Sequence, residues 1–431
     1  MPRDRHLDAT GAFKRDPYRF IARRADEVGS DVFTTRLLGR ETICLTGPEA
    51  ARLFYDADRF ERAGAAPAAL QKTLFGRGGV QGLDGAEHAH RKQLFLSIVS
   101  PERVGQLGEE VLRALRHAAD GWGRLGHIEL YAELHPVLTR AVCAWAGVPL
   151  PPEAVARRTR QLRALFDQAG ALGVGHLYAR YARRSSERWA AGLVDAVRCG
   201  RLRVRQGSAL HRIAWHRGLD GRALPPRIAA VELLNVLRPA VAVSVFLVFA
   251  AHALHVHPAE AEILRAGRPG ELACFVQEVR RAYPFFPAAA ARVRRDFRWH
   301  GYDFRAGTRT LLDLYGIDHD RRIWGADADA FRPARFRERD PGPFAFVPQG
   351  GGDVRTGHRC PGEGIAFELM SRGVRFLQRE IEYSVPEQDL EVDFTRLPAL
   401  PRGRFVVSDV RRAKAEPVRL ERRRTRPLRA V

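Results

Sequence analysis

Paired cysteines are missing from this chain. Its five, Cys44, Cys143, Cys199, Cys274 and Cys360, stand without pair spacing, which excludes a disulfide framework and a zinc site. Four of them sit in apolar or helical surroundings and are expected in the core, and unpaired thiols fit a reducing, cytoplasmic setting. An apolar signal core is missing too, since Met1-Pro2-Arg3-Asp4-Arg5-His6 is polar. The longest apolar run, Ala240 to Ala251, is too short to span a bilayer, so a soluble protein with no transmembrane segment is expected. No serine- or proline-rich linker and no repeat divides the 431 residues. One domain over 1–431 is expected, with a basic, flexible tail over about 411–431. Acidic residues are the minority, 50 against 71 basic ones, for a formal charge of +21. The excess is nearly all arginine, scattered through every segment. It argues for attraction to anionic ligands or surfaces and against a nucleic-acid partner.

What is present reads as mainly helical. Val32–Thr35 and Glu41–Leu45 look like strands joined at Gly39-Arg40. Thr46 and Glu49 then fit a capping box ahead of a helix. Apolar spacing is helical from Val104 to Ala146 and from Val155 to Arg198. The stretch Leu202 to Leu219, rich in arginine and histidine, reads as a solvated connection, and Arg292 to Leu314 returns to strand-like signals.

Phe346 to Glu363 is a glycine-rich loop ending in one cysteine, with Gly350-Gly351-Gly352 ahead of His358-Arg359-Cys360-Pro361-Gly362-Glu363. Glycines let backbone press against a flat or bulky ligand. A cysteine just before a helix is expected to have its thiolate favoured by the helix dipole and free N–H groups. By itself the loop fits either a buried free cysteine or a ligand to haem iron with a cationic rim for the propionates.

A second stretch narrows this. Glu278 and Arg281 share one face of a helix that ends at Tyr283-Pro284, and Arg335 follows in Pro333-Ala334-Arg335-Phe336. Together with the cysteine loop, in this order and spacing, these residues resemble the cytochrome P-450 family. The resemblance covers roughly Asp16 to Val407. It implies the cytochrome P-450 fold, a large helical domain with a small β-rich region near the N-terminus, and haem b held by Cys360. It further implies a buried Glu278–Arg281 pair completed by Arg335. The loop departs from the usual pattern, with Asp353 and Thr356 where most members have phenylalanine and glycine. Its longer Pro-Gln-Gly-Gly-Gly-Asp form resembles the fatty-acid peroxygenase branch.

Pro225 to His257 reads as one long helix, apolar all round beyond Pro239, where a kink is expected. Arg238 has Leu234, Asn235, Val241 and Ala242 as helical neighbours, so no carboxylate of its own helix can reach it. A buried guanidinium without an anion is costly. Arg238 therefore meets a distant acid, reaches solvent, or binds an anionic ligand. The Arg-Pro pair is similar to the peroxygenase branch, which implies that Arg238 grips a fatty-acid carboxylate. Between Leu233 and Ala259 there is no Asp, Glu or Thr, and Ser244 is the one hydroxyl. The acid–threonine pair by which ordinary members deliver protons to dioxygen is absent. Hydrogen peroxide needs only one group to shift a proton, and the bound carboxylate can do so.

The segment Leu74 to Gly85 resembles the family's loop over the distal pocket, which implies a catalytic place for Gln81 and hydroxylation over decarboxylation. Leu74, Phe75 and Phe285 are expected to line the acyl channel, and His88 and Lys92, four apart on one helix, to bind the haem propionates. The expected protein is a peroxygenase. It would hydroxylate long-chain fatty acids at the α or β carbon with hydrogen peroxide, without an obligatory redox partner. A reductase-fed monooxygenase and a non-catalytic haem sensor are the alternatives.

Overall fold

The computed structural model describes residues 1–171 and 173–413. Ten helices frame the interior and are labelled here in chain order. They are α1 (Gly85–Ile98), α2 (Pro101–Trp122), α3 (Leu130–Ala146), α4 (Pro152–Asp167), α5 (Gly173–Arg198), α6 (Ala209–Trp215), α7 (Pro226–Ala242), α8 (Ser244–Val256), α9 (Glu271–Ala282) and α10 (Glu363–Arg379). Their apolar faces merge into one large core. At its centre, α7 and α8 are buried on nearly every side, as a helix without a polar face must be.

The strands are β1 (Val32–Leu37), β2 (Arg40–Leu45), β3 (Phe60–Glu61), β4 (His127–Glu129), β5 (Ala288–Val293), β6 (Phe297–Trp299), β7 (Tyr302–Phe304), β8 (Arg309–Asp313), β9 (Ile381–Ser384), β10 (Val392–Asp393), β11 (Leu400–Pro401) and β12 (Val406–Arg412). Five of them form a sheet in the order β1-β2-β8-β5-β3 over a second, smaller core. Val32 pairs with Leu45 at the outer hairpin, and β2 runs parallel to β8 with Thr42 opposite Arg309. The mainly helical fold and the β-rich region near the N-terminus agree with the sequence.

Several local expectations are corrected. The helix Pro48–Phe54 is capped by Gly47 with no side-chain bond, so Thr46 and Glu49 form no capping box. The central helix is interrupted at Val243, one turn past Pro239, where the Val243 amide turns to the Val241 carbonyl. The solvated connection contains α6, whose Leu210, Ile213 and Ala214 are wholly buried. Cys199 is exposed rather than in the core. Arg411 and Arg412 belong to β12, where they pair with Glu382 and Ile381. The rest of the basic tail, 414–431, lies outside the described residues. One stretch, Pro226–Val256, is long and apolar enough to cross a membrane, and it is buried in the core.

Candidate active site

Three segments far apart in sequence meet around Cys360. Its amide donates to the Gln349 carbonyl at 3.2 Å, and the Gln349 amide nitrogen lies 4.0 Å from the sulfur. The loop is pulled tight by Lys92 of α1, whose Nζ donates to the carbonyls of Gly357 at 2.7 Å and Arg359 at 2.5 Å. The glycines of this loop are needed for close approach. A Cβ on Gly350, which has φ +96°, would stand 3.0 Å from the Tyr55 hydroxyl.

Cys360 is half-buried as a residue, and burial pushes its thiol up despite the Gly362 amide, Lys92 and Arg280. The amide at the helix start and the nearby cations favour the thiolate, as the sequence suggests, and burial opposes them. A smaller opposing contribution comes from the next helix. Arg359 is held by Glu363 at 2.7 and 3.0 Å, and Arg280 pairs with the same carboxylate. Both cations are partly neutralised, and Glu363 itself disfavours the thiolate. Coordination to a metal would deprotonate this sulfur outright.

On the other flank, His88 stacks on His358 with ring centroids 3.9 Å apart. Burial, then His358 and Lys92, push His88 down to about 3, so the ring is neutral. Asp84 takes the amides of Arg62 and Ala63 and faces His358 at 3.5 Å. Burial lowers the Lys92 ammonium to about 8. Arg62 sits over the Phe54 ring at 4.1 Å. Its Nη1 is buried and has no partner among the described residues. An enclosed, unpartnered guanidinium nitrogen is a place for an anionic group.

The opposite wall is α7 with the loop 74–84. Gly76 and Gly79 let this loop press on the helix. A Cβ on Gly76 would meet Val231 at 2.7 Å, and one on Gly79 would meet the Asn235 amide at 2.9 Å. Arg238 is buried and reaches neither a distant acid nor solvent. Its one acceptor among the described residues is the Leu74 carbonyl. The same carbonyl takes Arg183 of α5 at 3.3 Å. Burial, then the like charge of Arg183, lower the Arg238 pKa to about 9.

Both polar groups that could replace the missing proton donor are engaged. Glu232 is fully buried, accepts from Arg91 at 2.6 Å, and is bonded by Asn235 at 3.0 Å. Asn235 donates as well to the Gln81 oxygen at 3.1 Å, which ties Gln81 to α7. Ser244 lies 3.3 Å from His135. Leu74, Phe75 and Phe285 join the large core, with Phe285 against Phe246 at 4.4 Å.

Beneath the site, Glu278 is bonded twice by Arg281 at 2.8 Å, by Arg335 at 3.1 Å and by the Arg332 amide at 2.7 Å. The two arginines also satisfy the carbonyls of Asp318, Trp324, Asp327, Ala328 and Ala330. Sequence reasoning brought together the Glu278 group, Cys360 and Arg238, and missed Arg62, Arg183, Gln349 and the Glu232–Asn235 pair. Of these only Glu232 and Asn235 carried a signal, being polar residues three apart on the mostly apolar helix that also carries Arg238.

Comparison with known proteins agrees with this geometry. The cytochrome P450 family model matches residues 272–394. Among curated proteins, cytochrome P450 71A14 of Arabidopsis thaliana is 35% identical over 134 residues. That match covers 28% of this chain and 25% of the plant protein, so the chain spans about a quarter of the length of that relative. Solved structures match over nearly all of the chain. P450SP alpha (CYP152B1) in complex with ibuprofen is 49% identical at TM-score 0.92, covering 94% of this chain and 99% of that one. P450EX alpha (CYP152N1) with myristic acid is 45% identical at TM-score 0.92, covering 96% and 99%. A variant of P450 OleT with arachidonic acid is 32% identical at TM-score 0.92, covering 97% and 100%. With its cysteine loop, its buried Glu278 group and likeness along its whole described length, this chain belongs to the cytochrome P450 family, among the CYP152 fatty-acid peroxygenases.

Proposed function

We propose that this protein uses hydrogen peroxide to hydroxylate long-chain fatty acids at the carbon next to the carboxyl or the one beyond it. A cytochrome P450 carries haem on a cysteine thiolate. Our reading is haem b on Cys360, with His88, Lys92 and Arg62 as the residues that would hold its propionates. The unpartnered Arg62 nitrogen and the cysteine free of any disulfide fit such a group. When bound, the haem supplies the oxidising chemistry that places one peroxide oxygen in a C–H bond.

The observation that carries the reading is Arg238, a buried cation with one carbonyl acceptor and no carboxylate among the described residues. A guanidinium has five donors, so most remain for a ligand. A fatty-acid carboxylate paired there restores the missing anion and fixes the acid's head. Only carbons a short tether from the carboxyl can then be oxidised. The same carboxylate is the acid–base that moves one proton between the two peroxide oxygens. The chain's own candidates are occupied, Glu232 by Arg91 and Asn235, Ser244 beside His135. That favours a peroxygenase without an obligatory redox partner over a reductase-fed monooxygenase. Gln81, tethered through Asn235, faces the decision between hydroxylation and decarboxylation, and Leu74, Phe75 and Phe285 offer apolar surface for the chain of the acid. Free cysteines fit a cytoplasmic location.

The test uses a substrate without a carboxyl. Styrene and peroxide are expected to give little epoxide, and a short carboxylic acid is expected to switch epoxidation on in the parent and not in Arg238→Ala. Equal rates with and without the acid in the parent would mean that the protein itself delivers the proton, and substrate assistance would be refuted.

A further inference from the structure

Helix α5 carries two features that catalysis leaves unused. Val174, Leu177, Tyr178 and Tyr181 recur at helical spacing and form one stripe. They are exposed by 83%, 63%, 42% and 60%, and the two tyrosine rings lie 6.5 Å apart. Beside the stripe is a cleft of about 290 Å³ lined by Lys72, Arg77, Arg180, Arg184 and Arg227. Its one acid, Glu187, is taken by Arg183 at 2.6 Å. Among the described residues, none of the five lining cations has a carboxylate within 4.0 Å.

An apolar stripe on a surface helix, flanked by unpaired cations, is the arrangement of a helix that lies in a lipid interface. We propose that this face docks the protein on an anionic lipid bilayer. Headgroup phosphates enter the cleft, and the stripe settles at the boundary between headgroups and acyl chains. Charge complementarity selects this occupant, since five cations call for a dense array of anions and a bilayer also accepts the apolar stripe.

The position of the face adds a reason for it. Arg183, at the floor of the cleft, donates to the carbonyls of Leu74 and Phe75 at 3.3 and 3.4 Å. The Leu74 carbonyl also takes Arg238. The cleft that would receive the headgroups and the buried Arg238 are thus joined through one shared backbone carbonyl. The inference goes beyond the proposed reaction and stands apart from it, because docking is measured without peroxide.

The haem-loaded full chain is mixed with vesicles of phosphatidylcholine alone or with phosphatidylglycerol, sedimented, and the bound fraction read. Binding is expected only to the anionic vesicles and is expected to weaken with salt. The pair Arg180→Gln/Arg184→Gln should lower the partition coefficient about thirtyfold, at about fivefold per arginine. Leu177→Gln/Tyr181→Ser should lower it as well. A control pair on the β6–β7 hairpin region, Arg298→Gln/Arg305→Gln, removes the same charge and should change it little. Styrene epoxidation switched on by a short, fully dissolved acid should be the same in all variants, which shows them folded. The proposal is overturned by absent binding, by equal binding to neutral vesicles, or by a control pair that weakens binding as much as the α5 pairs.

Discussion

Replacing Arg238 with methionine separates the cost of a buried charge from its use. Burial and Arg183 bring the guanidinium to about 9, from an ordinary value above ~12. At ~1.4 kcal/mol per pKa unit, the charged form carries on the order of 5 kcal/mol of unfavourable free energy in the folded protein. Methionine is unbranched, fills a similar volume and asks for no hydrogen bond. Unfolding releases roughly 2.1 cal/mol/K per residue, and over 431 residues that makes 1 kcal/mol worth about 1 °C in Tm. The acid-free, haem-loaded variant should therefore melt about 3–5 °C above the parent. A fatty acid should do the reverse. Losing a charge-assisted bond to a buried carboxylate costs about 2–5 kcal/mol, or about 30- to 5,000-fold in Kd. Palmitic acid should raise the parent's Tm and leave the variant's nearly unmoved. The assay is thermal unfolding at neutral pH with and without palmitic acid, with hydroxy acid measured after peroxide on the same samples. A variant that melts below the parent and still binds and oxidises palmitic acid would show Arg238 to be a structural cation.

Further expectations follow from the same contacts. Arg335→Ala leaves Glu278 with Arg281 and the Arg332 amide and should cost about 3–5 kcal/mol, read as a lowered urea midpoint of the holoprotein. An unchanged midpoint would mean that the backbone donors suffice. Gln81→His should raise the share of terminal alkene over hydroxy acid, measured by gas chromatography, and an unaltered ratio removes Gln81 from the reaction. Asp313 is pushed up to about 7 by burial, whereas an unfolded aspartate titrates near ~3.9. The folded state holds this proton longer, so stability falls as pH rises from the unfolded to the folded value and then levels. Asp313→Asn should therefore gain more Tm relative to the parent at pH ~8 than at pH ~5, and equal differences would refute the assignment.

What the sequence made legible was local or ordered. Cys360 announces itself by the glycines before it and the Pro-Gly after it. Glu278 and Arg281 are three apart, and the isolation of Arg238 follows from helical arithmetic alone. What stayed hidden depends on contacts across more than a hundred residues. Arg183 meets Leu74 from |i−j| 109, and Asn235 meets Gln81 from 154. Arg62 is one arginine among many, and nothing around it in sequence says that its nitrogen is enclosed and unpartnered. The charges around Cys360 were only half legible for a similar reason. Arg359 adds charge on paper, and the fold gives that charge to Glu363. In α6, the spacing of Leu210, Ile213 and Ala214 was masked by the histidines and arginines between them.

The Glu278 knot bears on the order in which a ribosome-bound chain can consolidate. Until residues 317–335 have emerged, Glu278 has only Arg281 beside it, and Arg281 lacks the carbonyls of Asp318, Ala328 and Ala330. Burying α9 at that stage would strand donors of one arginine and half the acceptor capacity of one glutamate. Full burial of the helix therefore depends on the later segment. That segment leads on toward the loop of Cys360, so completing the knot and placing the cysteine draw on one continuous stretch of chain.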